Sequence, residues 1–298
     1  MINKLLIVGC GLIGSSILKK VCKKRIAKQI FVYEKSKKNR RILKKFRIKF
    51  ELIKKMDKKI SECDFVIICT PLSEYEKIFS IFNKYLKKNV LVTDVGSAKK
   101  TTITKIDKKK RRDINWISSH PIAGSEVSGP SNANENLFVN KWSVIIKQKK
   151  SQTKEMKKIL RFWKLLGSKT VTMDADQHDK IFAITSHLPH LIAYNLILTA
   201  TNFKISNKDN VLRFSAGGLR DFSRIAASNE IMWRDIFFNN KSNMLKVIDL
   251  FIKNLKVFKR DIKSNKKNLE TKLRNLKKVR QKIVLLKQDT SKPDFGRA

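Results

Sequence analysis

Two hydrophobic rhythms divide the chain. Up to residue 173, short unbroken apolar runs at residues 3–8, 29–33, 64–69, 90–93, 142–146 and 170–173 alternate with stretches of helical spacing at 15–24, 73–86 and 153–166, the last ended by Gly167. Runs that short and that uniformly apolar predict strands buried on both faces, and their alternation with helices predicts a parallel sheet covered on both sides. From residue 174 no comparable strand pattern appears, and apolar residues recur at helical spacing to about residue 287. The organisation expected is an α/β domain over 1–173, an all-helical domain over 174–287 and a disordered tail over 288–298, where turn residues replace the periodicity. Ile262, Leu269, Leu276 and Ile283 recur every seven residues, half of a heptad stripe, and predict a packed or subunit-bridging helix.

The loop after the first strand reads Gly9-Cys10-Gly11-Leu12-Ile13-Gly14 and runs straight into a helix. In that setting the first glycine allows a tight turn, the second lets backbone approach a pyrophosphate, and the third allows close packing of helix on strand. Phosphate charge would face the helix N-terminus. The second strand ends in Glu34, about twenty residues beyond Gly14, where a carboxylate accepts from ribose hydroxyls. The fold class is therefore a Rossmann-type, doubly wound parallel sheet with NAD as cofactor. NADP stays open, because Lys35, Lys37, Lys38, Arg40 and Arg41 follow at once and could neutralise a 2′-phosphate. Ligands of such sheets lie beyond the carboxyl ends of the strands, so Thr70, Pro71 and Ser97 are expected to line the nicotinamide half of the cleft. Ser97 has a second reading as N-cap of a helix beginning at Ala98.

Composition narrows the class further. With 298 residues, 42% apolar and only 10 Gly and 5 Pro, the chain can bury substantial cores. Four cysteines at positions 10, 22, 63 and 69 lack CxxC pairing and read as reduced packing residues, which together with the absence of an export signal implies a cytoplasmic protein. Residues 181–203 carry no charged side chain and are long enough to span a bilayer, but His187, Pro189, His190, Asn195 and Asn202 suit a buried helix lining a polar site. The net charge of +42 would ordinarily suggest nucleic acid or anionic membrane. Its spread over nearly every helix, without an aromatic-interleaved signature, argues for solvated faces instead, so neither is expected as a partner.

Chemistry concentrates in three further stretches. Ser118-Ser119-His120-Pro121-Ile122-Ala123-Gly124-Ser125-Glu126 reads as a catalytic loop holding an imidazole at a cleft mouth, the alternative being a surface turn whose histidine caps a strand. His187 and His190, three apart, share a helix face; no third ligand follows at a convincing spacing, so hydrogen-bonding roles are favoured and no metal is expected. Residues 214–226 place Arg220 and Arg224 among apolar neighbours after a glycine break, where a guanidinium can grip a carboxylate through two parallel bonds. An Asp221–Arg224 ion pair is the structural alternative.

Together with Asp94-Val95-Gly96-Ser97 and Met232-Trp233-Arg234-Asp235, these motifs resemble, in order and over most of the chain, the prephenate/arogenate (cyclohexadienyl) dehydrogenase family. The resemblance implies a helical dimerisation domain, a homodimer, an active site between the domains and oxidative decarboxylation of a cyclohexadienyl substrate, with prephenate preferred here and arogenate the alternative. It implies that His120 meets the ring hydroxyl and acts as base, that Ser97 positions it, and that Arg224 holds the ring carboxylate. His190, Glu126 and Trp233 complete the substrate set, while Gly9, Gly11, Leu12, Ile13, Gly14, Glu34, Thr70 and Pro71 hold the cofactor. Gly217-Gly218-Leu219-Arg220 departs from the family's more usual single-glycine, aromatic approach to this motif. Competing readings are another two-domain dehydrogenase, which would place a lysine catalytically in the helical domain, a nucleotide-binding regulatory module, or a basic nucleic-acid binder. His120 and Arg224 together weigh against them.

Overall fold

The computed structural model describes residues 1–124, 126–147, 153–203, 211–265 and 267–286. Six parallel strands, β1 (Ile2–Val8), β2 (Ala27–Tyr33), β3 (Glu51–Ile53), β4 (Phe65–Ile68), β5 (Leu91–Asp94) and β6 (Asn115–Trp116), lie in the order β3-β2-β1-β4-β5-β6. The order reverses between β1 and β4, and that switch point is where an open sheet leaves a crevice for a ligand. Alternation along β1 sends Leu5 and Ile7 to one face and Leu6 and Val8 to the other, all fully buried. One face packs on α1 (Leu12–Lys23) and α5 (Thr153–Leu165); the other packs on α3 (Tyr75–Tyr85) and α4 (Lys100–Lys109).

A second, three-stranded sheet follows: β7 (Ser119–Pro121) antiparallel to β8 (Trp142–Ile146), which is parallel to β9 (Lys169–Met173). It changes the reading of the histidine motif. His120 stands on β7, opposite Val144, rather than on a loop, and it is committed to packing, with 8% exposure. The hydrophobic pattern also misses β6 and β7, which are only two and three residues long, and α2 (Lys37–Leu43) and β3, which lie in a lysine-rich stretch with little apolar rhythm.

Beyond β9 every element among the described residues is helical: α6 (Ala175–Phe182), a π-helical turn (Ala183–His187), α7 (Leu188–Asn202), α8 (Gly217–Ala226), α9 (Glu230–Asn239), α10 (Lys241–Lys263) and α11 (Leu269–Leu285). Ile262 sits near the end of α10 and Leu269 starts α11, so the seven-residue stripe spans two helices instead of one. The continuous helix from Ala175 to Asn202 is long and apolar enough to cross a membrane by length and composition, the same test a core or interface helix passes. Ile184, Leu198, Leu250 and Leu255 on this and the later helices are exposed, as is Phe203 just after α7. The tail expected over 288–298 lies outside the described residues. All four cysteines are free thiols, and burial pushes Cys22 up to about 11 and Cys63 up to about 12, which keeps them unreactive at neutral pH.

Candidate active site between sheet and helices

The glycine loop behaves as its spacing requires. Gly9 has φ +88, and a β-carbon there would sit 2.8 Å from Thr70 Cγ2; at Gly14 it would sit 2.1 Å from the Gly9 carbonyl oxygen. At Gly11 a β-carbon meets nothing within 4 Å, so the loop leaves open space where a phosphate approaches the start of α1. That helix has no side-chain cap and no acidic residue in its first turn. Leu12 is buried and Ile13 half-buried against the core, so both support the loop. Glu34 is buried, its Oε2 accepting from Cys10 N at 2.7 Å and its Oε1 from Ser36 N at 2.7 Å, which ties the end of β2 to the glycine loop. Arg40 donates to the carbonyls of Glu34 (3.0 Å) and Lys35 (3.3 Å). Thr70 is half-buried with Oγ1 unpartnered among the described residues, and Pro71 is exposed. An open Gly11 beside an uncapped helix start and a carboxylate at the end of β2 fits a dinucleotide.

Gly11→Ala is therefore expected to melt like the wild type yet bind dinucleotide at least about tenfold more weakly, a loss of about 1.4 kcal/mol or more. Gly14→Ala should lose the fold, since its new methyl group collides with backbone. Calorimetric titration beside thermal melts separates the two.

Ser97 is half-buried in the loop between β5 and α4. Helix α4 starts at Lys100 rather than Ala98, and the cap comes from elsewhere: Asp179 Oδ1 accepts from Lys99 N and Oδ2 from Lys100 N, both at 2.9 Å. The N-cap alternative for Ser97 therefore falls. Behind the loop, Lys99 Nζ donates to Asp94 Oδ2 (2.7 Å) and to the Ser119 carbonyl (2.6 Å), binding the Ser97 loop to the residue before His120. The Ser119 hydroxyl donates to the Asp94 carbonyl (2.6 Å) and accepts from Trp163 Nε1 (3.0 Å).

His120 Nδ1 lies 2.9 Å from His178 Nε2, and His178 Nδ1 lies 2.8 Å from Asp179 Oδ1. The His120 ring also packs against Phe182 at 4.9 Å. Burial, then His178, Lys99 and His187, hold His120 well below the usual histidine range, so it is neutral at pH 7. His178 and Asp179 escape sequence reasoning, although His178 is the only one of four histidines to which the motifs assign nothing.

The helical domain brings the remaining residues together. His190 stacks on Trp233 at 3.7 Å, and its Nδ1 donates to the Ser186 carbonyl (2.9 Å), which leaves Nε2 as an acceptor. Trp233 is buried, edge-on to His187 at 6.1 Å, with Nε1 unpartnered among the described residues. Burial pushes His187 down to about 4, and its Nδ1 accepts from Asn240 Nδ2 at 3.1 Å. Arg224 Nη1 pairs with Glu126 Oε1 at 3.3 Å and Nη2 with Asp221 Oδ1 at 3.7 Å, so the Asp221 pair exists but is the longer of the two. The Glu126 contact draws the α8 guanidinium to the segment that follows His120. Arg220 is exposed, and Gly217 and Gly218 form the first turn of α8.

A glycine loop at a sheet switch point, a buried neutral imidazole and a helical domain closing over it define a two-domain dehydrogenase. Models of the prephenate dehydrogenase nucleotide-binding domain and dimerization domain match residues 17–172 and 174–278, and the chain belongs to the prephenate dehydrogenase family of oxidoreductases. It is 31% identical over 250 residues to the cyclohexadienyl dehydrogenase of Zymomonas mobilis, covering 84% of this chain and 85% of that one. It is 29% identical over 256 residues to the prephenate dehydrogenase of Bacillus subtilis, covering 86% and 69% respectively. A solved prephenate dehydrogenase from Aquifex aeolicus, in complex with hydroxyphenyl propionate and NAD+, superposes with TM-score 0.87 at 30% identity over 95% of this chain and 99% of that one.

Proposed function

We propose that the protein is a prephenate dehydrogenase that converts prephenate, with NAD, to 4-hydroxyphenylpyruvate and carbon dioxide in tyrosine biosynthesis. The observation that carries this reading is His120, buried, neutral and held through Nδ1, with no partner for Nε2 among the described residues. An unprotonated Nε2 can accept the proton of the ring C4 hydroxyl as hydride leaves that carbon. Bound NAD supplies the hydride acceptor. Loss of the ring carboxylate as carbon dioxide makes the ring aromatic, so the residues need mainly to align hydroxyl, hydride and carboxylate. Ser97 would orient the hydroxyl at His120, Arg224 would bind the ring carboxylate through two donors, and His190 and Trp233 would line the substrate pocket with Glu126 at its rim.

Support for NAD comes from Glu34, whose carboxylate repels a 2′-phosphate, and from Arg40, whose guanidinium is turned to backbone carbonyls. The aromatic carboxylic acid and NAD+ in the Aquifex aeolicus structure point the same way. The similarity to a cyclohexadienyl dehydrogenase favours one second reading, acceptance of arogenate as well. The exposed apolar residues of the helical domain, in a region matched by a dimerization-domain model, support a homodimer.

The decisive assay sets prephenate and arogenate each against NAD and NADP and follows reduced-nicotinamide absorbance; no absorbance in any of the four would end the reading. Arg224→Ala should raise KM for prephenate by about tenfold to a hundredfold, the loss of a charged hydrogen bond of about 1.5–3 kcal/mol, with KM for NAD unchanged. An unaltered prephenate KM would return Arg224 to an ion-pairing role.

A further inference from the structure

We propose that His178 and Asp179 are positioning residues that fix the tautomer of His120, so that the base is assembled only where the helical domain docks on the sheet domain. The inference rests on the reading of His120 as the base. It starts from donors that cannot reverse. The backbone N–H groups of Lys99 and Lys100 donate to the two oxygens of Asp179, which holds that carboxylate as an acceptor. Its Oδ1 lies 2.8 Å from His178 Nδ1, so the His178 proton must sit on Nδ1. His178 Nε2 then presents a lone pair to His120 Nδ1 at 2.9 Å, and His120 must carry its proton there. A neutral imidazole has a single N–H, so the lone pair of His120 falls on Nε2, the atom that has to receive the substrate proton.

No link can be replaced by water, since His178 is 0% exposed and Asp179 1%. The chain also crosses the domain boundary: His120 is on β7, whereas His178 and Asp179 lie on α6, where Asn240 of the α9–α10 junction donates to the Asp179 carbonyl at 2.8 Å. When His120 takes the substrate proton on Nε2, its Nδ1–H stays bonded to His178, and the Asp179 carboxylate stabilises the imidazolium without any proton moving along the chain.

The test uses the full-length protein labelled with 15N-histidine, whose four histidines keep the imidazole spectrum simple. The wild type should show His120 protonated at Nδ1. In Asp179→Ala His178 Nδ1 loses the acceptor that fixes its proton, so part of the His120 population should shift to the Nε2–H form and kcat should fall about a hundredfold with KM for substrate and NAD little changed. Because Asp179 also caps α4, two His178 variants guard against simple misfolding. His178→Gln can still donate to Asp179 and accept from His120, whereas His178→Phe keeps the ring packing on Phe182, now 4.5 Å away, and loses the polarity. The relay requires Gln to retain several-fold more kcat than Phe; a packing role requires the opposite order. The opposite order, or an unchanged His120 tautomer in Asp179→Ala, overturns the proposal. A wild type without turnover whose tautomer still switches would sink the dehydrogenase reading and uphold the relay.

Discussion

His120→Asn is expected to lower kcat by about 10³–10⁴-fold while the dissociation constant for NAD stays within about twofold, because the residue supplies the proton acceptor and no part of the glycine loop. Asparagine approximates the shape of the ring on the Nδ1 side and keeps a polar atom toward His178, so the fold should survive; a variant turning over at near-normal rate would remove the base role. The pH profile of the wild type offers an independent check. Burial and neighbouring cations and imidazoles hold His120 well below 6.5, and the active form is the unprotonated one. The ratio kcat/KM should therefore stay level as the pH falls past 6.5 and decline only at more acid values. Stability moves in the same window for a related reason. His187 is near 4 in the fold and close to 6.5 unfolded, so its contribution is intact above 6.5 and is lost as the pH falls from 6.5 to 4, reaching on the order of 3 kcal/mol. Circular dichroism at each pH separates protonation of the base from unfolding.

What could be read in advance was whatever local spacing determines. The glycine loop, Glu34 and the alternating strands are fixed by neighbours within about twenty residues; the runs at 3–8, 29–33, 64–69 and 90–93 are β1, β2, β4 and β5 of the parallel sheet, whereas those at 142–146 and 170–173 join β7 in a second, mixed sheet that local spacing does not separate from the first. The His120 motif was legible as chemistry but not as structure, since β7 is three residues long and pairs with a strand more than twenty residues downstream. Nothing in the sequence around residue 178 marks a contact made 58 residues away, or around residue 179 one made 80 residues away. In the same way, α2 hides in a run of lysine and arginine that periodicity cannot resolve. Among 67 basic residues, composition gives no hint that one lysine is held at only 1% exposure.

That lysine is Lys99, and its replacement is expected to lower stability sharply while leaving a folded protein. Lys99 and Asp94 are each 1% exposed and lie 2.7 Å apart. Asp94 also accepts from Tyr75 Oη (3.1 Å), Gly96 N (2.9 Å) and Trp116 Nε1 (3.1 Å), so its carboxylate organises the loop that carries Ser97. Lys99→Met keeps most of the side-chain volume but strands that carboxylate without a cation, and a buried pair broken on one side costs about 3–5 kcal/mol. For a chain of this size the melting temperature should fall by about 10 °C. Removing both charges should cost far less, because the desolvation penalty disappears with the attraction, so Lys99→Met/Asp94→Asn should recover much of the lost stability. Its activity should not recover with it. Without Lys99 Nζ the Ser119 carbonyl loses its bond to the Ser97 loop and only the Ser119 hydroxyl still reaches the Asp94 carbonyl, and a base displaced even slightly from its hydroxyl loses the alignment on which the reaction depends. A double variant as unstable as Lys99→Met, or one as active as the wild type, would show that the buried pair neither stabilises this loop nor sets its position.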